Sequence, residues 1–394
     1  MPRASTSPSP SAARRCSARP RCSCASRADP VSETRLAELT TLRVGGPAAA
    51  LVTPATRDEL VQTALEVWGT GDDWLLLGGG SNLVIADEGV DGTVIRVSTR
   101  GIDIALDADG RHARVRAAAG ESWDALVAAT VEAGLAGIEA LSGIPGTVGA
   151  APVQNIGAYG QELGERLVGI DFLDYLTGEV VRLDARELGL GYRTSALKRG
   201  HAGVVLAVEL DLDAGGWSGP VAYAQLASAL GVELGERVPL ADARRAVLAL
   251  RASKGMVLDA ADPDSVSAGS FFTNPIVSES FARGLPAEAP RWPVAPEEAD
   301  RVLAPGAAVP ALASGPYEVK LSAAWLIERA GISRGFALPG SRAAISSKHT
   351  LAIVNRGGAT ASEIVQLAGF VQTRVLAEFG VRLHPEPVFV GIPL

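Results

Sequence analysis

The chain has 394 residues, 36 Lys and Arg against 44 Asp and Glu, a formal net charge of −8, and 47% hydrophobic residues. This length predicts two or three domains with a large core, and apolar stretches broken early by Gly, Pro or charge leave no candidate membrane-spanning helix. Cys16, Cys22 and Cys24 are the three cysteines, so a disulfide framework is excluded for everything after them.

Residues 1–34 read as a disordered leader, or as a start placed too far upstream, because Arg, Ser, Ala and Pro recur there without hydrophobic periodicity. Setting aside the six arginines and one aspartate of residues 1–30 leaves 30 basic against 43 acidic residues, a net charge near −13. Nucleic acid and anionic membranes are therefore not expected partners. Trp74–Leu77 predicts a strand running into the turn Gly78, Gly79, Gly80, Ser81, Asn82, and Leu83–Ile85 a second strand. Further strands are expected at 93–97 and 113–118, followed by a helix over 122–133 with Trp123, Leu126, Val127 and Val131 on one face.

The stretch 141–160, LSGIPGTVGAAPVQNIGAYG, holds five glycines and two prolines, a composition that predicts no regular element. Strands are expected at 167–175, 180–183 and 204–212, and a helix over 240–253. Residues 278–316, rich in Pro, Ala and Glu, read as an excursion of loops and short helices. A helix is predicted over 320–330, another over 360–379 opened by a Thr360/Glu363 capping box and closed by Gly380, and a last strand over 388–390. Short strands and separated helices without regular alternation indicate an α+β fold.

Two glycine-rich turns suit a pyrophosphate, because convergent main-chain N–H groups bind it best and only residues lacking a Cβ allow so close an approach. The first is not a dinucleotide fingerprint of the GxGxxG type, since Leu83 stands where the third glycine belongs. In the second, Gln154 and Asn155 are side-chain amides suited to the edge of an isoalloxazine or adenine ring.

The ordered strings GGGSN, SGIPGTVGAAPVQNIGAYGQE, GYRTSALK, AGSFFTNP and HPEPVF closely resemble the UDP-N-acetylenolpyruvoylglucosamine reductase family of peptidoglycan synthesis, over roughly 36–393. The resemblance implies a two-subdomain FAD-binding fold of the vanillyl-alcohol-oxidase type plus a smaller α+β substrate domain. The expected segments are 35–100 completed by 385–394, 101–254, and 255–384. It also implies that NADPH reduces FAD and that the flavin then reduces the enolpyruvyl double bond, giving UDP-N-acetylmuramate in the cytoplasm of the cell. Rival readings are another FAD oxidoreductase of the same fold and a non-catalytic flavin or nucleotide-sugar binder.

By the same resemblance, the cofactor would contact the first glycine turn, then Ser142, Ile144, Pro145, Gly146 and Gly149, then Gln154, Asn155, Gly157, Ala158 and Tyr159, and finally Arg251. Reduction builds enolate charge on the substrate carboxylate, which needs a cation and then a proton donor. Arg193 is the expected carboxylate partner through its planar fork. Glu386, stiffened by Pro385 and Pro387, is expected to share a proton with the enolate, and Ser270 is the expected general acid. Tyr192, Tyr223, Lys254, Asn274 and His349 would line the site of the UDP-sugar. Tyr223 resembles the tyrosine loop of one of the family's two classes, and at His349 some relatives carry Gln. No metal is required, and a monomer is expected.

Overall fold

The computed structural model describes residues 34–294 and 318–394. The expectation for the leader through residue 33, and that for the part of the excursion within 295–317, lie outside the described residues.

Ala48–Val52, Val90–Arg96 and Trp74–Leu77 form a three-stranded parallel sheet in that order. Its crossover includes a helix, Arg57–Thr70, with a full capping box between Thr56 and Glu59 and Gly71 in the left-handed conformation at its end. A larger antiparallel sheet runs Val180–Asp184, Leu167–Asp174, Gly203–Ala214, His112–Ala118, Ile102–Leu106. Strict alternation sorts its two faces. Ala113, Val115 and Ala117 turn inward against Trp123, Leu126 and Val127 of the helix Trp123–Glu132. Arg114 and Arg116 turn outward, directly opposite Asp211 and Glu209 of the neighbouring strand, so opposite charges meet across the ladder.

The remaining core is built on the helix Ala361–Phe379. Ile364, Leu367, Ala368, Val371 and Val375 share its buried face, and they pack with Phe271, Phe272, Leu326, Ile345 and Ile353. Leu42 and Val44, from the beginning of the described chain, join this same cluster. Two small antiparallel sheets complete it: Ser267–Ser270, Ala352–Asn355, Ala343–Ile345, and Ile276–Ser278, Glu318–Leu321, Arg291–Val294. The last strand, Val388–Val390, pairs in parallel with Leu83–Ile85, returning the chain to the first glycine turn.

Three local expectations need correction. Residues Val148–Gln154 form a 3-10 helix of seven residues despite Pro152, because the proline forfeits one bond of a short helix and its fixed φ suits the helical conformation. The helix expected over 320–330 is a strand, Glu318–Leu321, followed by a helix, Ala323–Arg329, capped by Ser322. Ser322 offered a cap that stops the helix from extending backwards. The excursion after Ser278 begins with a short helix, Glu279–Arg283, as expected, but then supplies a strand, Arg291–Val294.

Candidate active site

Several segments distant in sequence meet at one cleft of about 330 Å3. The first is the turn Gly78–Asn82. A Cβ on Gly79 would lie 2.6 Å from the Gly146 Cα, and one on Gly78 2.5 Å from the Thr147 Oγ1. The two glycine segments are thus pressed backbone to backbone, and this mutual approach is what forbids a side chain. Gly80 adopts φ +60, and a Cβ there would collide with the Leu39 carbonyl oxygen, so no side chain fits. Among the described residues, the N–H groups of Gly79, Gly80 and Ser81 find no protein acceptor, leaving a row of donors on the cleft wall.

The C-terminal segment locks this turn to the rest of the site. The Val388 N–H donates to the Asn82 carbonyl at 2.9 Å, the Asn82 Nδ2 donates to the Glu386 carbonyl at 3.2 Å, and the Glu386 N–H donates to the Phe271 carbonyl at 2.9 Å. Glu386 is therefore positioned by backbone bonds to two other segments. Its Oε1 accepts from Gln154 Nε2 at 3.2 Å and faces Arg193 Nε at 3.4 Å. Burial raises its pKa, and the charges of Arg193 and Lys198 and the Gln154 hydrogen bond pull the other way. A carboxyl held so can exist protonated nearer neutrality than an exposed glutamate.

Ser270 ends the strand Ser267–Ser270 and stands on the cleft wall. Gly269 before it has φ +76 with no atom within 4 Å of an added Cβ, so backbone conformation alone calls for glycine there. Phe271 and Phe272 behind it are buried, ring to edge at 5.3 Å, and burying each stabilises the fold by about 1.5–3 kcal/mol. The two rings anchor the strand on the core side and leave the serine facing the cleft. Its hydroxyl has no hydrogen-bond partner among the described residues.

Arg193 itself has φ +54. Its Nη1 and Nη2 donate to the carbonyls of Asn155 (3.3 Å) and Gly157 (2.7 Å), fixing the guanidinium to the second glycine segment. Arg251, from the helix Leu240–Ser253, also lines the cleft. Burial lowers its pKa, with Tyr159 and Asp124 acting in the opposite sense. Its Nη2 donates to the Met256 carbonyl at 2.9 Å, while its Nε is buried with no partner among the described residues. A buried unpaired donor calls for an acceptor. With the free N–H row of Gly79–Ser81, it makes the cleft a fit for a group carrying both a pyrophosphate and a ring with acceptor atoms, as FAD does.

Ile144, Pro145, Gly146, Gln154 and Gly157 also line the cleft. Other expected cofactor contacts do not. The Ser142 hydroxyl is fully buried and donates to the Glu139 carbonyl. Gly149 packs against Ala119. The Asn155 amide, expected at a ring edge, donates to Glu162 and the Gly191 carbonyl and accepts from the Gly164 N–H; it braces the loop that carries Arg193. Ala158 sits in a two-residue strand outside the cleft.

Tyr159 instead joins a second cluster. Its ring meets Tyr223 edge-on at 5.6 Å, and Lys254 Nζ stands 5.4 Å over it while bonding Gln225 at 2.7 Å. Burial and nearby Arg251 lower the Lys254 pKa. Lys254 also acts on His349, whose pKa is lowered to about 4 by burial first, then by Lys254 and Arg334, against Glu328. Asn274 accepts from the Ala323 N–H at 3.0 Å, at the start of a helix. Lys320, not anticipated from sequence, lies 4.9 Å over the Tyr192 ring. Also unanticipated were Met256 and Lys198 on the cleft wall, although Lys198 closes the GYRTSALK string.

A neutral buried histidine makes stability depend on pH. The folded pKa lies below the ordinary 6.5, so the unfolded chain takes the proton first as pH falls, and stability drops between 6.5 and 4. Between pH 7 and 5 the loss amounts to roughly 2 kcal/mol. Denaturant midpoints should fall more steeply over this interval in the wild type than in His349→Gln; equal slopes would show that His349 titrates normally.

Residues 262–390 match the family model described as UDP-N-acetylenolpyruvoylglucosamine reductase, C-terminal domain, and residues 48–184 match the FAD binding domain model. The chain is 66% identical over 373 residues to the UDP-N-acetylenolpyruvoylglucosamine reductase of Leifsonia xyli, covering 91% of this chain and 98% of that protein. It is 51% identical over 367 residues to the reductase of the same name from Saccharopolyspora erythraea, covering 93% and 97%. The crystal structure of UDP-N-acetylenolpyruvylglucosamine reductase (MurB) from Thermus caldophilus aligns with a TM-score of 0.58 at 29% identity, over 91% of this chain and 98% of that one. With an FAD-binding part, a matching C-terminal domain and near-complete coverage by such relatives, this chain belongs to the UDP-N-acetylenolpyruvoylglucosamine reductase family.

Proposed function

We propose that the chain reduces UDP-N-acetylglucosamine enolpyruvate to UDP-N-acetylmuramate, using FAD and NADPH, as a cytoplasmic monomer in peptidoglycan precursor synthesis. The observation that carries this reading is the convergence of Arg193, Glu386 and Ser270 on one cleft walled by the two glycine segments and Arg251. Segments 35–100 with 385–394 and 101–254 would hold the cofactor, and 255–384 the substrate. Bound FAD supplies the reducing equivalents, taken from NADPH and passed to the enolpyruvyl double bond.

The chain's own groups do the rest. Gly79–Ser81 would hold the cofactor's pyrophosphate through their N–H groups, and Arg251 would offer its Nε to an acceptor of the cofactor. Arg193, held by two carbonyls, faces the substrate carboxylate as enolate charge builds there, so little reorganisation accompanies reaction. Glu386 hydrogen-bonds the same charge when protonated. Ser270 delivers the proton to the adjacent carbon, a step open to a weak acid because an enolate carbon is strongly basic. Tyr192, Tyr223, Lys254, Asn274 and His349 would hold the nucleotide and diphosphate, with His349 neutral at physiological pH.

Anaerobic absorption spectroscopy tests this directly. The purified chain should be yellow, lose its visible absorbance on addition of NADPH, and regain it on addition of the enol ether. A chain that cannot take up FAD, or a reduced flavin indifferent to this substrate, would overturn the proposal.

A further inference from the structure

Lys198 is a cleft cation left with little to do by the protein. It stands on the wall beside Arg193 and Glu386, and among the described residues its Nζ makes a single long hydrogen bond, 3.4 Å, to Gln154 Oε1. An ammonium has three donors, so two remain directed at solvent or ligand. Arg193, the other cation facing Glu386, is tied down by comparison: two of its nitrogens donate to the carbonyls of Asn155 and Gly157, and the third faces Glu386. Its fork is largely occupied in holding the second glycine segment, which limits the two-pronged grip on a carboxylate that its chemistry suggests.

We infer that Lys198 is a further substrate-binding residue, one whose ammonium grips the enolpyruvyl carboxylate together with Arg193, beside Glu386. The inference rests on the proposed reductase function. Partial burial among the cleft walls lowers the Lys198 pKa, and only Glu386 among its charged neighbours offsets this; a second anion would complete its surroundings. Among the described residues, Arg193, Lys198 and Glu386 cluster around Gln154, with Arg251 also on the cleft wall. The positive side chains outnumber the one carboxyl, so the cleft suits an added carboxylate. Lysine suits the role because it is a compact point charge on a flexible stem that can follow the group during reaction.

The test compares two ligands on the FAD-loaded full chain, read by perturbation of the oxidised flavin spectrum. One is UDP-N-acetylglucosamine enolpyruvate, and the other is UDP-N-acetylglucosamine, which lacks the carboxylate. Lys198→Met should weaken the first about 10- to 100-fold, the range of a lost hydrogen bond to a charged group, and the second less than about twofold. Lys198→Arg, which keeps the charge, should recover most of the loss. Equal weakening of both ligands would mean that Lys198 holds another part of the nucleotide sugar, and unchanged binding of the acid would mean that it holds nothing; either result overturns the inference. Lys198 is exposed, and retention of flavin by the variants verifies that they fold. A wild-type chain that fails to bind the enolpyruvyl ligand would instead bring down the reductase reading itself.

Discussion

Ser270→Ala should leave reduction of the flavin by NADPH near its normal rate and slow reoxidation by the enol ether by about 10²- to 10⁴-fold, the usual worth of a positioned general acid. The asymmetry follows from structure. The Ser270 hydroxyl makes no protein hydrogen bond among the described residues, so its removal leaves no partner stranded, and Phe271 and Phe272 continue to anchor the strand. Rapid mixing with absorbance at the flavin bands separates the two half-reactions. Equal damage to both would make Ser270 a structural residue, and near-normal reoxidation would assign the proton to another donor.

Arg193→Lys should cost about 10²- to 10³-fold in the reoxidation half-reaction, comparable to losing a fixed donor at developing negative charge. A lysine keeps the charge but cannot reach the carbonyls of Asn155 and Gly157 and the Glu386 carboxylate at once. Combining it with Glu386→Gln should give less than the product of the single effects, since the two groups act on one another. Multiplicative losses in that double-mutant cycle would show two independent groups. The position's left-handed backbone, φ +54, is present in both proteins and so drops out of the comparison.

Much of this was legible in the chain. Elements delimited by strong local chemistry came out where expected: Trp74–Leu77 before its glycines, Leu240–Ser253, and the helix opened by Thr360 and Glu363. The helix Arg57–Thr70 carries an equally complete box in Thr56 and Glu59, yet escaped notice because its apolar face is narrow, with only Leu60 and Ala64 buried. Cleft residues were found where glycine density or a distinctive string marked them. What failed was the direction in which a side chain points. Asn155 and Gln154 are neighbours with the same amide, but one braces Glu162, Gly164 and Gly191 while the other faces Glu386. No one-dimensional pattern separates them, because the left-handed turn at Asn155 sends successive side chains to opposite sides. Lys198 was missed for the complementary reason, since a lysine closing a loop looks like any solvated surface charge until the fold turns that loop toward the cleft.

The return of residues 385–390 to the first glycine turn has a consequence for synthesis. Asn82 and Phe271 are bridged through Glu386 and Val388, so the ribosome delivers the cleft's carboxylate some three hundred residues after its first glycines. Domains generally fold as they emerge, N-terminal part first, and the parallel and antiparallel sheets upstream can form while translation continues. The reaction centre cannot. A nascent chain still lacking these residues would be a folded body without the glutamate proposed to share a proton, and catalytic competence would arrive late in translation, as a single event.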